Sequence, residues 1–183
     1  PKNVLQVVSG DGKTGAALVD SGVNKIMFTG SVATGKKIAE AAAKHLTSVV
    51  LELGGKDPMV VFADANLEKA SSAAVWGAFT NSGQACSSVE RLYVEEKIAD
   101  KFTKMVVEKT KNLRQGLGKD AETDIGSMSS ENQTKIVEDH VEEFRKSGAK
   151  ILTGGKRNEN FGGVFFEPTV ISGAKNKMRP MRE

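Results

Sequence analysis

Residues 25–35 have the sequence KIMFTGSVATG, which leads from a short apolar run into a helical stretch. The apolar run at its start predicts a β-strand, and the Ala- and Lys-rich residues 36–45 predict a helix. Gly30 allows a tight turn between them, and Gly35 lets the start of the helix lie close to the strand. A second apolar run, residues 49–53, predicts the next strand. The stretch therefore predicts a βαβ unit of dinucleotide-binding type and an α/β fold.

The turn between strand and helix is a candidate phosphate site. The N–H groups of a first helical turn, together with the helix dipole, favour a phosphate. The spacing from Gly30 to Gly35 is Gly-x-x-x-x-Gly, which matches neither the Gly-x-Gly-x-x-Gly fingerprint nor the Gly-Lys-Ser/Thr ending of a P-loop. Packing alone explains such a turn equally well, so both alternatives stay open on this motif.

Strand and helix signals alternate along the rest of the chain, and Gly54-Gly55 marks the best internal boundary. This alternation predicts an α/β architecture with a largely parallel sheet. The further predicted elements are strands at 59–62, 91–94, 149–152 and 165–171, a helix over 67–79 capped by Asp64 or Asn66, and amphipathic helices over 98–113 and 130–144, the second with a Ser130–Gln133 capping box.

Composition excludes several classes of protein. Of the 183 residues, 39% are hydrophobic and 27% charged, which is typical of a globular protein. The net charge of +3 comes without a basic stripe interleaved with aromatic residues, so we expect no nucleic-acid partner. One cysteine permits no internal disulfide and favours a reducing compartment. No apolar run is long enough to cross a membrane, and no signal sequence is recognisable. We therefore expect a soluble, cytoplasmic protein without a membrane partner or a metal.

Glu52 is the first candidate for chemistry, in the segment Leu51-Glu52-Leu53-Gly54-Gly55-Lys56. A carboxylate at a strand end lies where open α/β sheets bind their ligands, and the glycines leave room for water or substrate. An isolated glutamate is more often solvated or ion-paired at a surface, so this motif alone leaves that alternative open.

Cys86 is the second candidate, in the segment Asn81-Ser82-Gly83-Gln84-Ala85-Cys86-Ser87-Ser88. A lone cysteine is commonly an inert buried side chain. Here the neighbours are small and polar, whereas a core cysteine would be expected among Leu and Val. A reactive thiol needs access and a stabilised thiolate, and this context favours both.

Three motifs occur in a fixed order: FTGSVATG at 28–35, ELGGK at 52–56 and GQAC at 83–86. In order and spacing they resemble the aldehyde dehydrogenase superfamily, whose general base and nucleophile are separated by the same interval as Glu52 and Cys86, 34 positions. The resemblance covers essentially the whole chain. It continues through Asp124-Ile125-Gly126, Gly154-Gly155 and Phe166-Glu167-Pro168-Thr169-Val170.

The resemblance implies a role for each matching residue. Cys86 matches the catalytic nucleophile, and Glu52 matches the base that activates the hydrolytic water. The implied cofactor is NAD or NADP, and the implied substrate is a small aldehyde. For Gln133 the helix cap is the plainer explanation. The residues that match cofactor-binding positions of the family are Gly12, Gly30, Ser31, Val32, Ala33, Thr34, Gly35, Leu53, Gly54 and Gln133.

The resemblance also implies a domain organisation. Residues 1–54 match the back half of a Rossmann-like cofactor domain, and residues 55–183 match most of an α/β catalytic domain whose C-terminal part is missing. The family's oxyanion-hole asparagine and its ribose-binding carboxylates have no counterpart here. We therefore expect an internal fragment, inactive alone, of a protein that is a homo-oligomer at full length.

The expected reaction is oxidation of an aldehyde to a carboxylic acid through a thiohemiacetal and a thioester on Cys86. A CoA-acylating relative is the nearest alternative, although an acid at position 52 favours hydrolysis. A non-catalytic structural or binding protein on the same scaffold is the other alternative. The presence of both Glu52 and Cys86 favours catalysis over that alternative.

Overall fold

The computed structural model describes residues 1–182. The chain divides into two compact units, of which the first is Pro1–Gly54 and the second begins at Gly55. In the first unit, strands β1 and β2 pair in parallel, and helix α2 joins them. This βαβ arrangement is the one that the sequence of residues 25–53 predicts. The elements of the first unit are α1 (Gly12–Asp20), β1 (Lys25–Gly30), α2 (Val32–Ala43) and β2 (Ser48–Leu53).

Helix α1 has no counterpart among the elements that the sequence predicts. Its N-cap is Asp11, whose carboxylate accepts the Lys13 N–H at 2.9 Å. Val19 is the one buried residue of this helix, so the helix has no broad apolar stripe that periodicity could reveal. A cap without an apolar stripe is a weak sequence signal, which explains why the sequence does not predict helix α1.

The second unit begins with a parallel pair, β3 and β4, joined by helix α3. A further pair, β5 and β6, is antiparallel, which corrects the expectation of a largely parallel sheet. Parallel strands need a crossover, usually a helix, and residues 154–169 between β5 and β6 contain none. The elements of this unit are β3 (Asp57–Val61), α3 (Leu67–Phe79), β4 (Val89–Val94), α4 (Glu96–Lys111), α5 (Glu131–Lys146), β5 (Lys150–Thr153) and β6 (Val170–Ser172), with short 3₁₀ turns at Thr80–Gly83 and Arg179–Met181.

The strand predicted over residues 165–171 is the other correction. Only its end belongs to β6, while Phe166 forms an isolated antiparallel bridge with Arg157. Pro168 lies between the two paired stretches and has no N–H to donate to a neighbouring strand. The proline therefore divides what periodicity predicts as one strand.

Two apolar clusters form the cores of the second unit. In the larger one, Val61 of β3 meets Val75 of α3 and Phe102 of α4, and Phe102 is only 1% exposed. The smaller cluster contains Met128, Val141 of α5 and Phe166. The larger cluster fixes α3 and β4 in place, and with them the ends of the segment that contains Cys86.

Asp124 stabilises the loop between α4 and α5. Its carboxylate accepts the backbone N–H and the Nε–H of Arg114, each at 2.9 Å. The guanidinium and backbone hydrogen bonds from Arg114 lower the pKa of Asp124 from 3.8 to about 2. The ionised carboxylate is therefore the form that the folded loop binds better.

We expect Asp124→Asn to lower the stability of the protein near neutral pH. Because the folded-state pKa is depressed, the carboxylate stabilises the fold above the unfolded pKa of 3.8 and loses that effect as the pH falls toward about 2. Urea denaturation at several pH values measures the difference. The control Asp100→Asn removes one exposed charge from α4 and should change little. If Asp124→Asn lowered the free energy of unfolding by the same amount at all pH values, the ionised Asp124 carboxylate would not be the stabilising group.

Candidate active site

The register of the first unit brings two of the predicted motifs to one edge. Gly30 pairs with Leu53, and Thr29 pairs with Glu52, at the carboxyl ends of parallel strands. The turn after β1 and the residues Glu52 to Gly54 therefore share that edge, which is where open α/β sheets bind ligands. Glu52 itself is exposed.

The turn after β1 is capped by Ser31. Its Oγ accepts the Thr34 N–H at 3.2 Å, and its hydroxyl donates to Thr34 Oγ1 at 3.0 Å. Among the residues that the structure describes, the N–H groups of Val32 and Ala33 remain as uncapped donors of the first turn of α2. Residues 31–34 are exposed, so an anionic group could approach these donors.

At Gly30 and Gly35, a Cβ would meet the end of a neighbouring side chain. Gly35 is buried, and a Cβ there would lie 2.7 Å from Leu53 Cδ2. A Cβ on Gly30 would lie 2.4 Å from the Phe28 ring. Gly35 thus lets α2 pack against the end of β2. The glycines fit a cofactor turn and a purely structural turn equally well.

Gly12 and Gln133 lie elsewhere in the fold. Gly12 is the first residue of α1, and a Cβ there would meet nothing within 4 Å, so the described residues do not require glycine. Gln133 is in the first turn of α5 in the second unit, and its N–H donates to Ser130 Oγ at 3.2 Å. This confirms Ser130 as the cap of α5. A cofactor contact stays a prediction for both residues.

Cys86 is an exposed residue on a turn between the 3₁₀ turn Thr80–Gly83 and β4. The segment that precedes Cys86 contains three consecutive residues with left-handed backbone: Asn81, Ser82 and Gly83, whose φ angles are 54°, 59° and 74°. Glycine and, to a lesser degree, asparagine tolerate this region, whereas Ser82 adopts it at a cost of about 1–2 kcal/mol, so other contacts must hold the segment. An accessible thiol on a constrained turn can act as a nucleophile.

Charged groups hold the turn on its C-terminal side. Ser88 is 2% exposed, and its hydroxyl donates to Glu90 Oε1 at 3.1 Å. The Glu90 carboxylate also forms an ion pair with Lys56, the lysine of the Gly-Gly-Lys motif. Arg91 Nε donates to the Lys56 carbonyl at 2.6 Å. The start of β3 is therefore tied to the residues that follow Cys86.

Gly55 lies close to the backbone of Cys86. A Cβ on Gly55 would lie 3.2 Å from the Cys86 carbonyl oxygen and 2.8 Å from Asp57 Oδ1. The Asp57 carboxylate is at the end of a side chain and can move, whereas the Cys86 carbonyl belongs to the backbone. The second glycine of the motif thus leaves room for the turn that presents the thiol.

We expect Gly55→Ala to reduce the free energy of unfolding by about 1–3 kcal/mol, the usual range for overpacking. Gly54→Ala is the control, because a Cβ on Gly54 meets nothing within 4 Å. That variant should be neutral or gain about 0.4–1 kcal/mol from reduced freedom of the unfolded chain. Urea denaturation of both variants gives the comparison. Equal effects at the two positions would contradict the steric role of Gly55.

Sequence reasoning did not identify the partners of the Cys86 turn. Gln84 bonds to residues 127–129, and Lys56 bonds to Glu90. These contacts cross more than 30 positions of sequence, and no local pattern indicates them. Glu52 lies in the first unit and Cys86 in the second. In residues 1–182 no group of three or more His, Cys, Asp or Glu side chains could hold a metal ion, and no helix is long and apolar enough to cross a membrane.

Two curated relatives match nearly the whole chain. A provisionally named succinate-semialdehyde dehydrogenase [NADP(+)] 2 of Mycobacterium tuberculosis is 40% identical over 178 residues, which are 97% of this chain and 34% of the relative. A 4,4'-diapolycopene aldehyde oxidase of a Methylomonas species is 42% identical over 183 residues, or 100% of this chain and 33% of the relative. The chain thus spans about a third of the length of these relatives.

Solved structures show the same fold. The betaine aldehyde dehydrogenase of Staphylococcus aureus, determined in complex with NAD+, has a TM-score of 0.92 and 36% identity, covering 95% of this chain and 35% of that one. An aldehyde dehydrogenase of Bacillus cereus has a TM-score of 0.90 and 36% identity, covering 93% and 35%. The model of the aldehyde dehydrogenase family matches residues 1–183. The chain therefore belongs to the aldehyde dehydrogenase family, as its three motifs predict.

Proposed function

We propose that the full-length protein that contains this chain oxidises an aldehyde to a carboxylic acid, with NAD or NADP as the oxidant. The observation that carries the proposal is the exposed thiol of Cys86 on a constrained turn, in a chain of the aldehyde dehydrogenase family. A structural cysteine would be expected among apolar side chains, whereas this one has polar or small neighbours.

Cys86 acts as the nucleophile in this proposal. Its thiolate adds to the aldehyde carbon and forms a C–S bond, and the carbonyl oxygen becomes the oxyanion of a thiohemiacetal. The backbone N–H of Cys86 donates a hydrogen bond to this oxyanion. Departure of a hydride from the same carbon re-forms the carbonyl and leaves a thioester on Cys86.

The first unit has residues that fit a dinucleotide. Ser31 shapes the turn, and the N–H groups of Val32 and Ala33 would donate to a pyrophosphate, while Leu53 and Gly54 share the same sheet edge. When bound, the cofactor supplies an acceptor for the hydride, a reaction that no side chain can perform. NAD and NADP both remain candidates, because solved relatives hold NAD+ and a sequence relative is named for NADP(+).

Glu52 acts as the general base for the second half of the reaction. Its carboxylate takes a proton from water, and the resulting hydroxide adds to the thioester carbon. The tetrahedral adduct releases the Cys86 thiolate and gives the carboxylic acid. An exposed carboxylate at a strand end, followed by two glycines, suits a base that must contact a water molecule.

The names of the relatives supply substrates to test. They include succinate semialdehyde, betaine aldehyde and 4,4'-diapolycopene aldehyde. The full-length protein is incubated with each aldehyde and with NAD+ or NADP+, while reduced cofactor is followed by absorbance and the product by mass spectrometry. Formation of the acid without CoA supports the proposal. An absolute requirement for CoA would favour the acylating alternative, and the absence of any turnover would favour a non-catalytic protein.

We also propose that the full-length protein forms a homo-oligomer and that it is located in the cytoplasm. The family resemblance supports the first point, and a single exposed thiol, which must stay reduced to react, supports the second. Sedimentation of the full-length protein and fractionation of the source cells test the two points separately.

A further inference from the structure

We propose that Gln84 is a positioning residue, whose side chain fixes the Cys86 turn to the segment of residues 127–129. The proposal rests on the proposed function, because it requires Cys86 to be the nucleophile. Gln84 does not touch the reacting atoms in this proposal. It acts through the backbone that carries the thiol two residues later.

The amide of Gln84 is bonded through both of its polar atoms. Its Oε1 accepts the Ser129 N–H at 2.7 Å. Its Nε2 donates to the Asn81 carbonyl at 3.2 Å and to the Ser127 carbonyl at 3.5 Å. One side chain thus connects the residues that precede Cys86 with Ser127 and Ser129, which lie 43 and 45 positions from Gln84 in sequence.

Both ends of this connection are defined by other contacts. On the thiol side, Asn81 Nδ2 donates to the Gln84 carbonyl at 3.0 Å, and the Gln84 N–H donates to the Asn81 carbonyl at 3.1 Å. On the far side, Met128 is 8% exposed, and its N–H donates to the Val164 carbonyl at 2.8 Å. Ser130 follows as the cap of α5. Gln84 therefore ties a strained turn to a fixed part of the second unit.

The turn needs such a restraint because its backbone is unfavourable on its own. Asn81 and Ser82 have φ of 54° and 59°, a left-handed region that asparagine tolerates but serine seldom adopts. Without the Gln84 amide, we expect the turn to relax toward right-handed backbone and to move the thiol. A nucleophile displaced by about 1 Å can lose roughly 10²-fold in rate.

The test compares Gln84→Ala, Gln84→Glu and Gln115→Ala in the full-length protein. Gln84→Glu keeps the volume and the acceptor for Ser129, but its second oxygen faces the carbonyls of Asn81 and Ser127. Gln115 is a matched control, because its amide also connects distant segments, donating to the Phe166 carbonyl and accepting from Asn158 Nδ2, each at 2.8 Å. Gln115 lies outside the Cys86 turn and its partners.

Two rates are measured: the first-turnover formation of reduced cofactor, and the alkylation of Cys86 by iodoacetamide, assigned by peptide mass spectrometry. We expect both Gln84 variants to lose roughly 10²-fold in the first-turnover rate, with the KM for the cofactor nearly unchanged. The rate at which iodoacetamide alkylates Cys86 should also differ from that of the unsubstituted protein in both variants. Gln115→Ala should keep both rates close to those of the unsubstituted protein, even where it lowers thermal stability.

Normal rates in either Gln84 variant would overturn the positioning role. Equal losses in Gln84→Ala and Gln115→Ala, in proportion to their losses of stability, would also overturn it. Because Gln84→Glu preserves size and one hydrogen bond, it keeps the test open if Gln84→Ala does not fold. Failure of the proposed function is distinguishable, because then the unsubstituted protein itself would oxidise no aldehyde.

Discussion

In the full-length protein, Cys86→Ala is expected to abolish aldehyde oxidation, with a loss of about 10⁴-fold or more. Without the thiol, no covalent adduct can form, and the aldehyde carbon cannot expel a hydride from a thiohemiacetal. Cys86 is exposed in this chain and belongs to neither apolar cluster of the second unit, so its removal leaves no cavity in those clusters. The expected loss is therefore one of chemistry and not of folding.

The measurement is the rate of reduced-cofactor formation in the presence of an accepted aldehyde. Thermal unfolding and cofactor affinity should be close to those of the unsubstituted protein, which separates a lost nucleophile from a lost fold. Ser87→Ala is the matched control, because it removes one hydroxyl group from an exposed residue of the same turn. If Cys86→Ala kept even a few per cent of the rate, Cys86 could not be the nucleophile.

Local signals in the sequence were sufficient for much of the fold. Helix α3 begins and ends where its apolar, Ala-rich stretch and its cap predict, and the Asn66 side chain accepts the Lys69 N–H at 3.0 Å. Helix α2 begins at Val32 and not at Lys36, because Ser31 caps it earlier than the Ala-rich composition indicates. The α/β class is confirmed, since each parallel pair is joined by a helix.

The surroundings of Cys86 were not predictable in the same way. A segment rich in small residues indicates an accessible thiol, and the structure confirms that Cys86 is exposed. The left-handed backbone of Ser82 has no local signature, since Asn81 and Gly83 are residues that adopt that region readily and serine is not. The contacts of Gln84 and Lys56 depend on which distant segments fold against the turn. Tertiary packing decides these positions, and a single sequence does not contain that information in readable form.

Glu52→Gln in the full-length protein is expected to slow steady turnover by about 10²–10⁴-fold, the usual contribution of a general base. The first turnover should be retained, because addition of the Cys86 thiolate and departure of the hydride do not require Glu52. A burst of reduced cofactor followed by slow turnover is the signature. The substitution is isosteric, and Glu52 pairs with Thr29 through its backbone, so the sheet should be unaffected.

The matched control is Glu40→Gln, which neutralises one exposed carboxylate on α2 in the same unit and should leave both phases unchanged. Hydroxylamine gives a sharper test of the assigned role. It is added after a burst with limiting aldehyde, so that no free aldehyde is left for it to convert into an oxime. Hydroxylamine attacks a thioester directly and does not need a base to deprotonate it first, so it should release a hydroxamate from Glu52→Gln. If Glu52 instead served cofactor binding or the first addition, the burst itself would be lost, and no hydroxamate would form. Stopped-flow absorbance of the burst, with mass spectrometry of the released hydroxamate, therefore decides whether Glu52 acts after the thioester has formed.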